Sequence, residues 1–231
     1  MDKLAEALDI WGKILCKSIP VGGLWSRNKT VYKWKVPFRS MALRECAFWR
    51  IQDLLSQAHV LHKANHVLGS RILIRGAIET LAILIYLNQQ TAEVLAGKLN
   101  FHQFSEKTSS LLLGSRDGTT NLEALNIKTI LGHCNKRYPG IEDMYASLSE
   151  SAHPNWEGIC SGYSKVDHDD IETHFSNNWS EMWTERHEPL MLLVMRTFES
   201  EYNDVWAEQF DQLEKWIEEN DADLEATKTG S

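Results

Sequence analysis

Arg71, Arg75, Glu79 and Tyr86 stand four, four and seven residues apart. At about 100° per residue in a helix, they fall on one narrow face. Three of them are charged, yet the residues around them are Ile72, Leu73, Ile74, Ala77, Ile78, Leu81 and Ala82. Charge in such surroundings is costly unless it is paired. Two chemistries fit. In one, Arg75 and Glu79 form a structural ion pair one turn apart that fixes helix register; removing Glu79 from a buried pair of this kind would cost about 3–5 kcal/mol. In the other, the face lines a polar groove where Arg71 or Arg75 holds an anion such as a phosphate.

A second group lies in YASLSESAHPNWEG, which begins at Tyr145. Tyr145, Ser149 and Ala152 share a helical face, and His153 ends the helix because Pro154 disfavours helical geometry at the residue before it. The dipole at a helix C-terminus favours a protonated imidazole. His153 is therefore either a capping residue in a Pro-Asn turn, or a general acid or base beside the arginine and glutamate face. Together these patterns nominate Arg75, Glu79 and His153 as catalytic residues, with Arg71, Tyr145, Ser149 and Asn155 as binding residues.

Two further segments carry weaker chemistry. In VDHDDIETHF (from Val166), an extended chain would put His168, Asp170, Glu172 and His174 on one face. That allows a metal-dependent hydrolase built on Asp167 to His174. The plainer reading is a solvated acidic loop, and no metal or cofactor is assigned. Around Lys29 to Lys35, basic residues alternate with Tyr32 and Trp34, which suits stacking on bases and pairing with phosphates, or an ordinary amphipathic edge. The chain has no P-loop, GxGxxG, GxSxG or HExxH pattern.

Helices must position these groups. Apolar residues recur at helical spacing from Leu4 to Leu15, with Asp2 as a cap, before Gly22 and Gly23 break the chain. Tyr32, Trp34 and Val36 alternate with lysines, which predicts a short extended piece ended by Pro37. A long helix is expected over residues 40–68, with a turn at Gly69 and Ser70. A helix apolar nearly all round follows over 71–88 and belongs at the centre of a bundle. Further helices are expected over 91–113 with a weak point at Gly97, over 126–138, and from Ile141 to His153. Residues 155–178 read as irregular, and one long amphipathic helix starts near Pro189. The expected fold is all-α, as one domain over 1–220 with an acidic tail over 221–231.

The segment SRILIRGAIETLAILIYL, followed later by YASLSESAHPN, resembles uncharacterised bacterial helical proteins allied to the HEPN superfamily. The resemblance covers about the middle half of the chain and rests on the Arg-x3-Glu helix and the Tyr…Leu-Ser…His element. It implies an antiparallel four-helix core, here with an additional long C-terminal helix, and frequent dimerisation. In many members it also implies RNA cleavage in stress or defence systems. It touches Arg71, Arg75, Glu79, Tyr145, Ser149 and His153. The chain departs from the family's catalytic signature, an Arg followed by a His about one turn later on the same helix. The nearest Arg before His153 is Arg137, across Pro139 and Gly140.

Composition sets the remaining expectations. The net charge of -8 argues against nonspecific nucleic-acid binding by the whole surface. Cys16, Cys46, Cys134 and Cys160 show no metal-finger spacing and suit a reducing compartment, so a cytoplasmic protein is expected. The most apolar stretch is interrupted by Arg75 and Glu79 and is shorter than the roughly 20 residues of a membrane span. Nine tryptophans, and Val205, Trp206, Leu213 and Trp216 on the last helix, point to a homodimer. RNA or a partner protein is the other expected partner.

Overall fold

The computed structural model describes residues 2–21 and 28–228. Gly22 and Gly23, at which a chain break was expected, lie outside them. The protein is mostly helical, in agreement with the all-α expectation, with one small hairpin. No helix among the described residues is long and apolar enough to cross a membrane. The described thiols of all four cysteines are outside any disulfide.

The chain divides into two compact units. Unit 1 comprises residues 1–14, 49–81 and 135–196, and unit 2 comprises residues 15–48, 82–134 and 197–231. In chain order the elements are α1 (Lys3–Ile14), α2 (Lys29–Tyr32), α3 (Val36–Lys63), α4 (Val67–Leu95), α5 (Phe101–Leu113), α6 (Ile127–Asn135) and α7 (Ile141–Ala152). A π-type turn (Trp156–Ser161) leads into β1 (Ser164–Asp167) and β2 (Glu172–Phe175). Then come α8 (Trp179–Trp183), a 3-10 turn (Thr184–Arg186), α9 (His187–Glu199), a second π-type turn (Ser200–Val205) and α10 (Trp206–Ala226).

Unit 1 is built on the parts of α3 and α4 that lie within it. The turn between these helices falls at Asn65, not at Gly69 and Ser70. Asn65 adopts φ 62, a left-handed position that asparagine tolerates and that closes a helix. Gly69 lies inside α4, where a Cβ would stand 3.0 Å from Leu61 Cδ1; the glycine serves close helix approach, not a turn. Ser70 Oγ donates to the Ala58 carbonyl at 2.9 Å and ties the same two helices together. Ile51, Leu55, Ile74, Ala77 and Ile78 are fully buried, with Leu148 of α7 and Met191 of α9. Each large apolar side chain so buried contributes about 1.5–3 kcal/mol. Ile72 is 42% exposed, so α4 is apolar all round only further along.

The region 155–178, expected to be irregular, holds the antiparallel β1–β2 hairpin, with Val166 paired to Thr173. Gly162 at its base lets the wholly buried Trp179 ring approach: a Cβ there would sit 2.6 Å from the indole. Around it Trp156, Ile159, Val166, Ile171 and Phe175 are exposed, from 58% to 90%. Ile171 takes φ 54, a strained position for a β-branched residue.

In unit 2 the expected extended piece at Tyr32–Val36 is instead α2, a turn, and the start of α3. Asn28 caps α2 by accepting from Val31 N at 3.1 Å. Pro37 sits in the first turn of α3, where its missing N–H costs nothing, so it starts a helix rather than ending a strand. Trp34 is 8% exposed, packs edge-on against Phe101 and donates Nε1 to Asp221 Oδ1 at 2.8 Å. Lys33 is answered by Asp221 and Glu225 of α10, at 2.8 and 2.9 Å. Those carboxylates raise the Lys33 pKa, and the lysine lowers that of Asp221. The aromatic and the lysine that were candidates for nucleic acid are thus engaged within the unit. Gly97 does mark a break, at φ 67, before α5. The single long helix expected from Pro189 is α9 and α10 with a π-type turn between them, and α10 continues to Ala226. Trp206 stacks on Phe210 and donates to Ser40 Oγ, and Leu213 is fully buried, so these residues of the dimer expectation lie in the unit's interior.

Candidate functional site

The polar face of α4 meets a matching polar face of α7 inside unit 1. Arg71 Nε donates to Ser151 Oγ at 2.6 Å, and its Nη2 donates to the Ser147 carbonyl at 3.0 Å. One turn on, Arg75 Nε donates to Ser149 Oγ at 2.9 Å and Nη2 to Tyr145 Oη at 2.6 Å. Glu79 Oε1 then accepts from Tyr145 Oη at 3.0 Å and lies 3.2 Å from Arg75 Nη2. Rising numbers on α4 meet falling numbers on α7, so the helices run antiparallel here. The one-turn spacing on each helix puts Arg71 against the Ser147/Ser151 row and Arg75 against the Tyr145/Ser149 row.

The two arginines differ in surroundings. Arg71 is 3% exposed. Its guanidinium lies 3.9 Å from the Trp183 ring centroid, a cation–π contact in a dry setting. Its nearest carboxylate, Glu157, stands 3.9 Å away and is reached through Ser151, whose Oγ donates to Glu157 Oε1 at 2.5 Å. Burial pushes the Arg71 pKa down to about 10, with Glu157 opposing and Arg186 reinforcing that shift. The side chain remains charged at neutral pH. The Arg75 and Glu79 side chains are 28% and 25% exposed, and Arg75 Nη1 makes no hydrogen bond among the described residues.

Beside this seam His187, the first residue of α9, is 1% exposed, and neither ring nitrogen has a hydrogen-bond partner. Burial, with Arg71 and His62 adding to it, lowers its pKa to about 4. Its ring is 5.3 Å from that of His62, whose pKa burial also lowers. Trp183 Nε1 and Thr184 Oγ1 are likewise buried and unpaired.

The structure therefore brings together Arg71, Arg75, Glu79, Tyr145 and Ser149. His153 caps α7 as expected, with its N–H donating to the Ser149 carbonyl, and it is exposed. No hydrogen bond or ion pair among the described residues ties its imidazole to the arginines. Asn155 is engaged locally, accepting from Gly158 N at 3.0 Å and donating to Glu150. Tyr86, placed on the same face by helical arithmetic, lies in unit 2, where it is 5% exposed and burial raises its pKa. Ser147, Ser151, Glu157, Trp183 and His187 are participants that the sequence did not reveal. The available signal was a second one-turn pair, Ser147 and Ser151, beside Tyr145 and Ser149. Asp167 to His174 lie on the hairpin, with Glu172 to Phe175 exposed throughout. Among the described residues, the ligand-type side chains close enough to share an ion are elsewhere: Asp2, His59 and Glu188.

No family model, no curated protein and no solved structure matches the chain. The site's chemistry rests on its own geometry. The seam can lock two helices in register, and Arg75 at its rim keeps partial contact with solvent.

Proposed function

We propose that the chain is a HEPN-like helical interaction protein that works by self-association, with the stress or defence setting that the resemblance implies. The observation that carries this reading is the use of the arginine face: Arg71 is sealed, and its donors go to Ser147 and Ser151. A group that reacts or recruits substrate must be reachable, and Arg71 is not. The accessible features of unit 1 are apolar instead. Trp156, Ile171 and Phe175 are 73%, 90% and 83% exposed within one short stretch. Large exposed apolar groups gathered in this way mark contact surfaces. Each strand of a two-stranded hairpin has an outer edge with unpaired backbone groups, a template for another chain. Asp167, Asp169, Asp170 and Glu172 beside it repel a nucleic-acid backbone, which favours a protein partner; a second copy would dock through the apolar Trp156 and Phe175 side chains rather than the acidic turn.

Light scattering at tens of micromolar is expected to give a dimer for the wild type. The Trp156→Ser/Phe175→Ser double variant is expected to be a monomer with an unchanged helical far-UV spectrum. A wild type that stays monomeric overturns the reading. The RNA alternative is tested by fluorescence anisotropy and cleavage with single-stranded RNA at low salt, where phosphate contacts are strongest. RNA binding or cleavage by the wild type that Arg75→Ala abolishes would establish the anion-holding role of the face and displace the scaffold reading.

A further inference from the structure

We propose that Asp2, His59 and Glu188 form a binding site for a first-row divalent cation, with zinc as the best fit. The site is separate from the α4–α7 seam and from the hairpin. Three elements build it: the cap of α1, the last turns of α3, and the start of α9. Asp2 Oδ1 accepts from Ala5 N at 3.1 Å, which caps α1 and fixes the carboxylate with Oδ2 turned to the cluster. Oδ2 lies 3.1 Å from His59 Nε2. Glu188 Oε1 lies 3.8 Å from Nε2 of His62, three residues beyond His59 on α3. Ligand atoms of Asp2, His59 and Glu188 all stand within 4.8 Å of one another. Two ligands of one zinc ion are separated by at most twice a bond of about 2.0–2.2 Å. The three ligand atoms therefore come within reach of one ion once the partly exposed Asp2 and Glu188 side chains draw in toward His59.

The donor set selects the ion. One imidazole with two carboxylates, and water in the remaining position, matches zinc and its first-row neighbours; calcium and magnesium prefer all-oxygen shells. His59 is nine-tenths buried, so its ring is held by packing rather than free to turn away.

A cation already stands there. Lys63 Nζ is 3.1 Å from Asp2 Oδ2 and 2.6 Å from Glu188 Oε1, bridging the two carboxylates. Its side chain is 51% exposed, so the ammonium can swing out to solvent when an ion arrives. A groove of about 490 Å³, lined by Asp2, Lys3, Leu4, Lys63, Glu188 and Leu192, opens directly on the cluster and gives an entry path. The Lys63 ammonium thus acts as a resident placeholder that zinc displaces, and binding staples α1, α3 and α9 together.

Calorimetric titration of the tag-free protein with zinc tests this, with cobalt absorption spectra reporting ligand type. One ion per chain is expected, with spectra of nitrogen and oxygen ligation. Glu188→Gln, at a half-exposed position that the fold tolerates, and His59→Gln are expected to weaken binding by more than the roughly 10–100-fold that loss of an outer-shell partner costs. Lys63→Met is expected to tighten it. Circular dichroism establishes that each variant is folded. No zinc uptake by the wild type, uptake that Glu188→Gln leaves unchanged, or cobalt spectra of thiolate ligation would each overturn the site. Binding that Lys63→Met leaves unaltered or weakens would overturn the placeholder role.

Discussion

Each unit buries a charged side chain, and the two meet its demands differently. In unit 1, Arg71 distributes its donors over Ser151 and Ser147 and lays its planar face on Trp183. In unit 2, Glu201 is wholly buried, and one amide on α4 serves it twice: Asn88 Nδ2 donates to Glu201 Oε2 at 2.7 Å and to the Glu201 carbonyl at 3.0 Å. A guanidinium has five donors and no acceptor, so it must collect acceptors from several residues. A carboxylate collects donors and can be held by fewer side chains. The cation's network therefore ties together α4, α7, the π-type turn and α8, whereas Asn88 places both of its contacts on a single residue, Glu201.

The largest expected effect follows from that difference. Arg71→Met removes one side chain and leaves the Ser147 carbonyl, Ser151, Glu157 and the Trp183 face without their cation. A loss of about 3–5 kcal/mol is expected, as for breaking other buried charge networks. Asn88→Leu should cost less, about 1.5–3 kcal/mol, the range for a hydrogen bond to a charged group. Urea unfolding with unchanged m-values measures both. Equal losses, or the reverse order, would break the contrast between a cation served by several residues and an amide that serves one.

A second effect comes from His187, buried beside Arg71 with the Thr184 and Trp183 backbones only partly opposing the burial penalty. Its folded pKa of about 4 lies below the 6.5 of an ordinary imidazole. Between those values the unfolded chain binds the proton and the folded chain does not, so stability rises with pH across this window. The contribution is complete above pH 6.5 and is lost as pH falls toward 4. It amounts to about 3 kcal/mol, from 1.36 kcal/mol per unit. Asp2, drawn down to about 2, adds a further loss below its usual carboxylate range. His187→Phe should flatten the upper part of the curve and leave the acidic part in place. An unchanged slope between pH 4 and 6.5 would show that the imidazole is not the source.

These contrasts also explain what the sequence made legible. Arg75, Glu79 and the Tyr145/Ser149 row could be read because one-turn spacing on a helix needs no knowledge of the partner. His153 could be read as a cap because Pro154 forbids its continuation. Arg71's partners could not: Ser151 and Ser147 lie 80 and 76 residues away, and a serine hydroxyl is equally at home facing water. The same limit hid Asp2, His59 and Glu188, which share no motif and meet only because α1, α3 and α9 pack together. Local conflicts misled elsewhere. The five-residue alternation at Tyr32–Val36 suggested a strand, but the Asn28 cap and Pro37 in a helical first turn outweighed it. Gly69 looked like a turn because glycine permits one; Asn65, at φ 62, made the turn, and Gly69 served helix contact.

The smallest effect separates Arg75 from Arg71. A fully buried Arg75–Glu79 pair would make removal of Glu79 costly. The observed pair is more than a quarter exposed on the arginine side and a quarter exposed on the glutamate side. At that exposure water screens both charges, and an ion pair contributes about 0.2–1 kcal/mol. Glu79→Gln keeps an oxygen for the Tyr145 hydroxyl and Arg75 Nη2, so only the charge is lost. A double-mutant cycle of Glu79→Gln with Arg75→Met should therefore give a coupling within that range, and raising the salt concentration should shrink it further. A coupling above about 2 kcal/mol, insensitive to salt, would place the pair with the desolvated Arg71 network. Arg75 would then be a second sealed lock, and its unbonded Nη1 would no longer count as an opening toward an anion. A small, screened coupling keeps Arg75 as the one arginine of the seam that solvent, and anything dissolved in it, can reach.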